Sequence, residues 1–128
     1  MIFHKQKHKN GCLQACIASY FEFDNIDDVP NFAEHKNPGD YWDAFNAWIE
    51  NQIGLSFIKL PFSGSQSDIF NIMKKLNTNK EYFLIGQTDN NTEHIAICQN
   101  DLIVWNPSDA KITKPCKDGF YWLCFVTL

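Results

Sequence analysis

The chain has 128 residues, 15 of them acidic and 11 basic, for a net charge of −4, and 45% of it is hydrophobic. That length suits one domain over residues 1–128 with a real core, and a charged content of 20% excludes a disordered tail. The acidic balance argues against a dedicated nucleic-acid binder, which is usually basic, and reads as plain solubility.

The opening residues, MIFHKQKHKN, lack the apolar region of a signal peptide, and no run reaches the roughly 20 apolar residues of a membrane helix. A cytoplasmic protein without membrane attachment is expected. Its five cysteines then stand as thiols. Cys98, Cys116 and Cys124 with a histidine have the chemistry for zinc, but their wide spacing fits no finger or ribbon, so no metal or organic cofactor is implied.

In chain order, apolar residues after Gly11 fall at Leu13, Cys16, Ile17, Tyr20 and Phe21, one face of a helix that Asn10 or Gly11 can cap. NIDDVPNF reads as a turn with a short helical piece broken at Pro30. GDYWDAFNAWIENQIG is a second helix with Trp42, Phe45, Trp48, Ile49 and Ile53 on one stripe and Gly54 at its end. LSFIKLPF is a strand. SDIFNIMKKLN is a third helix, capped by Ser67, with Ile69, Ile72, Met73 and Leu76 facing inward. EYFLIGQT, HIAICQN, LIVWNPS and GFYWLCFVTL are strands separated by polar turns. N-terminal helices followed by an antiparallel sheet predict an α+β fold.

Cys12 opens the first helix, where unpaired N–H groups and the helix dipole favour a thiolate. Cys16 lies one turn inside, on the apolar face, where burial raises the pKa and silences the thiol. His94 starts a strand and can serve as the base, and Asn106, at the end of the next strand, can orient its ring. A three-residue loop, Gln99–Asp101, would pair Cys98 with Leu102, Ala96 with Val104 and His94 with Asn106 on one face; a two-residue turn would put His94 and Asn106 on opposite faces. The Cys12 N–H and the Gln6 amide are candidate oxyanion donors. Asp109 is an alternative third member. His4 and His8, on an N-terminal arm expected to be mobile, are poorer bases. His35 reads as solvated, and Trp42, Trp48, Trp105 and Trp122 read as core.

These segments resemble the papain-like cysteine peptidases, most closely those that cut bacteriocin leaders after a double glycine. Gln6 stands six residues ahead of Cys12, with five between them, CLQACIAS takes the helix start, and His94 and Asn106-Pro107 follow in order. The Asp-Val-Pro-Asn-Phe segment and the tryptophan-rich second helix resemble small papain-like proteins of bacteria and phages. The resemblance implies Cys12 as nucleophile, His94 as base, Asn106 as orienter and Gln6 as oxyanion donor. Gly11 stands where the family has an acidic residue, Leu13-Gln14 where it has Gly-Pro, and Asn106 where it has Asp. The leader-cutting members are fused to transporters, so that role is not expected of this chain.

The expected activity is hydrolysis of a peptide, isopeptide or amide bond through a thioester. The substrate is a peptide or protein, and specificity is expected from loops 30–41 and 87–93. The rival expectation is a bacterial or phage effector of the same fold that acts by protein contact without chemistry.

Overall fold

A computed structural model describes residues 1–32 and 40–127, the side chains of Asp40, Tyr41 and Thr127 excepted. His35 and most of the 30–41 loop lie outside the described residues. Among the described residues the fold is α+β. Three α-helices, α1 (Cys12–Tyr20), α2 (Asp40–Ile53) and α3 (Gln66–Leu76), accompany strands β1 (Ser56–Phe62), β2 (Glu81–Gln87), β3 (Glu93–Gln99), β4 (Leu102–Trp105) and β5 (Tyr121–Thr127). The strands form one antiparallel sheet in the order β1-β5-β2-β3-β4.

The two sheet faces carry separate apolar layers. On one, Phe83, Ile85, Ile95, Ile97, Phe57 and Cys124 pack against Leu13, Cys16 and Ile17 of α1 and Phe45 and Ile49 of α2. On the other, Tyr82, Leu84, Ala96, Cys98 and Leu123 pack against Ile69 and Met73 of α3. This two-sided burial explains why β2 and β3 read as continuous apolar runs rather than alternating ones.

Helix α1 is buried at every position from Leu13 to Ser19, not along one stripe. Its buried polar side chains are bonded to backbone, although Gln14 Oε1 has no hydrogen-bond partner. Gln14 Nε2 donates to Val29 O (2.7 Å), and Ser19 Oγ donates to Ala15 O while accepting from His4 N. Val29 and Phe32, of the Asp-Val-Pro-Asn-Phe segment, are core residues.

The third helix departs from expectation in two places. Ser65, not Ser67, is its cap, in a reciprocal capping box with Asp68. Only Ile69 and Met73, one turn apart, are buried; Ile72 and Leu76 are exposed, because this short helix meets the sheet along a single stripe. Gly54 ends α2 as read, at φ +76°.

Gly86 answers to a close approach. Opposite His94 in the ladder, it is crossed by the segment that pairs Thr113 N with Gln87 O and Gln87 N with Lys114 O. A Cβ there would lie 2.5 Å from Ile112 Cγ2 and 2.8 Å from Lys114 O. Gly86→Ala should therefore destabilise the fold by about 2 kcal/mol, read as a lowered urea midpoint; an unchanged midpoint would mean that the crossing segment is not held.

Candidate active site

The β3–β4 connection places the residues that matter. It is a two-residue turn, with Gln99 paired to Leu102, rather than the three-residue loop anticipated. Asn100 adopts φ +51°, and its side-chain amide donates to Asn77 Oδ1 and Asn79 Oδ1, which locks the tight turn onto the end of α3. The register then shifts: Cys98 pairs with Ile103, but Ile97 pairs with Trp105. Val104 is the extra residue of a β-bulge. A tight turn alone would set His94 and Asn106 on opposite faces. The bulge adds the missing residue and returns them to one face. Ile103, on the opposite face from Val104 under the anticipated register, is exposed.

His94 Nε2 and Asn106 Oδ1 are 2.6 Å apart. The direction of this bond is set by the other end of the amide, because Asn106 Nδ2 donates to Ala110 O at 2.6 Å. With its nitrogen committed to a carbonyl, Asn106 presents oxygen to the ring. His94 must then carry its proton on Nε2, and Nδ1 is left with its lone pair. Asp109 is exposed and takes no part in this contact.

Cys12 meets β3 one residue from His94. The backbone N–H groups of Leu13 and Cys12, at the open start of α1, and of Ile95 lie close enough to act on its sulfur. Cys16 Sγ lies 3.5 Å from Ile95 O. The two thiols, one helical turn apart, thus both face the Ile95 backbone. Ile95 needs such partners, since β4 ends at Trp105, opposite Ile97, and offers it none.

The N-terminal arm is pinned, contrary to the expectation of mobility. His4 O accepts from Trp105 Nε1, His4 N donates to Ser19 Oγ, and Gln6 N donates to Pro107 O at 2.6 Å. His4 Nε2 is engaged by Phe23 O, and His8 is exposed. Gln6 Nε2 donates to His8 O (2.8 Å) and Lys9 O (2.6 Å). Both of its amide protons therefore shape the 6–11 loop. The structure does not aim them at the position of an oxyanion over Cys12.

Burial pushes the Cys12 thiol up to about 11, the Glu93 carboxylate adds to the rise, and the three N–H groups oppose it. Cys16 is driven well up by complete burial and by its cysteine neighbours. At neutral pH Cys12 therefore rests as a thiol, and attack requires a base. Glu93 was not singled out from the sequence; its adjacency to His94 was the available signal. Cys98 and Cys124, weighed above as metal ligands, lie on opposite faces of the sheet, and no metal-binding group of three was found among the described residues. No described helix is long and apolar enough to cross a membrane.

Alkylation of Cys12 by iodoacetamide, followed by peptide mass spectrometry, should climb about tenfold per pH unit and level off near pH 11. Glu93→Gln removes a negative charge that disfavours the thiolate, so the profile should move to lower pH. An unmoved profile would exclude Glu93 as a determinant. No protein-family model, curated protein or solved structure gives a significant match to this chain.

Proposed function

We propose that the protein is a papain-like cysteine hydrolase acting on a peptide, isopeptide or amide bond. The observation that carries this reading is the His94–Asn106 bond, with the Asn106 amide oriented by Ala110 O. It gives the base a fixed tautomer and leaves the lone pair on Nδ1, as proton transfer from a thiol requires. In the reaction, Nδ1 takes the Cys12 proton as sulfur attacks the carbonyl carbon. The tetrahedral oxyanion is stabilised by the Cys12 N–H at the start of α1. The C–N bond breaks, the amine leaves with the proton from the imidazolium, and a thioester remains. Water, deprotonated by His94, then attacks the thioester and releases the acid and the thiol. For Gln6 to serve as a second oxyanion donor, substrate must draw its amide from His8 O or Lys9 O.

A second reading is favoured by two observations: the Cys12 thiol is raised rather than lowered, and the Gln6 amide is spent on its own loop. On that reading the chain keeps the fold and acts by protein contact.

One measurement separates them. A peptidyl vinyl sulfone at pH 7.5 should label Cys12 of the wild type, and His94→Ala should slow labelling by about 100-fold, within the usual range for a lost general base. Asn106→Ala should slow it about tenfold, and Asn106→Asp should restore it, because a carboxylate orients the same tautomer. Labelling no faster than that of a free thiol, and indifferent to His94→Ala, would establish the contact-only reading.

A further inference from the structure

On the α3 side of the sheet, cross-strand rows of apolar residues run from buried to bare. Leu84 pairs with Leu123 and Leu123 with Leu60; Tyr82 stacks on Phe125, which pairs with Ile58. The inner members pack with Ile69 and Met73 of α3. The row ends on β1, Leu60 and Ile58, are 48% and 45% exposed. The far flank of α3 is tied to the β3–β4 turn: Lys74 Nζ lies 4.0 Å from Asp101 Oδ2, and Asn77 accepts from Asn100. At about 100° per residue, Ile72 and Leu76 fall on the flank turned from Lys74 toward β1. They are 44% and 61% exposed. The result is a step, with Ile58 and Leu60 as floor and Ile72 and Leu76 as wall. The β1 edge itself is closed to strand addition, because Pro61 lacks an N–H and Lys59 stands two residues before it.

We infer that this step is a docking site for an amphipathic helix of a partner protein, acidic in its first turn and antiparallel to α3. Charge complementarity sets the occupant and its direction. At the C-terminal end of α3, Lys75 and Lys80 are exposed and have no carboxylate partner among the described residues. At the other end Asp68 stands in the capping box. Helices favour acidic residues in the first turn and basic ones in the last. Laid antiparallel to α3, such a helix brings its carboxylates to Lys75 and Lys80 and its basic end to Asp68. Shape excludes two other occupants. A helix with its side chains is about 10 Å across, so a flat bilayer resting on α3 would not reach Ile58 and Leu60. In a second copy, α3 would set its polar upper side, Ser67, Asn71 and Lys75, over an apolar floor. A partner helix with a broad apolar stripe covers floor and wall together.

This surface lies on the sheet face opposite α1 and does not depend on the hydrolase reading. The probe is a fluorescein-labelled helical peptide about four turns long. It carries Glu in the first turn, Lys in the last and Leu at i, i+3, i+4 and i+7. Its charge-reversed isomer exchanges the Glu and Lys positions. By fluorescence anisotropy the first peptide should bind saturably and the isomer about tenfold more weakly at low salt. Leu60→Glu should abolish binding, and Lys75→Glu with Lys80→Glu should reverse the preference between the peptides. All three side chains are exposed, so the urea midpoint should stay in place. No saturable binding to the wild type, equal binding of both peptides, or binding unchanged by Leu60→Glu would overturn the inference. So would sedimentation with phosphatidylglycerol vesicles, or a dimer in sedimentation velocity, that Leu60→Glu abolishes, because the face would then belong to lipid or to a second copy.

Discussion

The candidate site depends on how the Ile95 backbone is satisfied. Strand β3 outruns β4 by several residues, so among the described residues part of its outer edge has no strand to pair with. An exposed edge invites association, and a buried one leaves polar groups unpaired. The protein covers this edge with the start of α1, bringing the Cys12 sulfur to the Ile95 N–H and the Cys16 thiol to the Ile95 carbonyl. Sulfur is a weak partner for either group, yet it fits where a larger polar side chain would not, in a helix buried on all sides. The contact that closes the sheet edge also sets a thiol beside the residue bearing the imidazole. Packing and placement of the site have one cause.

A second constraint acts on the far side of His94. Asn106 lies just beyond the end of β4, and three features fix it: the bulge at Val104, the Gln6 N–H on Pro107 O, and the carbonyl of Ala110. The pinned arm joins these features. It runs from α1, through Ser19 and His4, to Trp105 and Pro107, and so ties the helix bearing the thiol to the strand end bearing the amide. Gln6 contributes to this tie through its backbone and to the 6–11 loop through its side chain.

What could be read from the sequence follows from the range of the forces involved. The start of α1, the apolar runs of β2 and β3, and the α+β order are written in local periodicity and turn residues. Cys12 at a helix start, His94 at a strand start and Asn106 after the next strand were legible because each depends on its own neighbours. The β3–β4 register was not. Both faces are apolar, so hydrophobicity does not choose between a three-residue loop and a tight turn with a bulge, and the choice is made by the distant contact of Asn100 with Asn77 and Asn79. The requirement that His94 and Asn106 share a face was sound; the device that meets it was misread. The arm likewise read as mobile because its partners, Ser19, Trp105 and Pro107, lie far along the chain. Trp42 and Trp122 read as core from composition, but both are partly buried and flank an ammonium.

Electrostatics gives Glu93 a place in the proposed chemistry that neither the thiol nor the amide can fill. An amide at Asn106 fixes the tautomer of His94 but brings no charge to stabilise an imidazolium. A carboxylate in that position would do both. Here the negative charge stands one residue before His94 instead, where it disfavours the thiolate of Cys12. Cys12 therefore rests as a thiol, and in the proposed mechanism its proton leaves only as sulfur attacks the substrate. A thiol kept protonated in this way is protected from adventitious oxidation and alkylation, since the thiolate is the reactive form. Burial that disfavours a free thiolate is then consistent with a nucleophile that gives up its proton to a base only during attack.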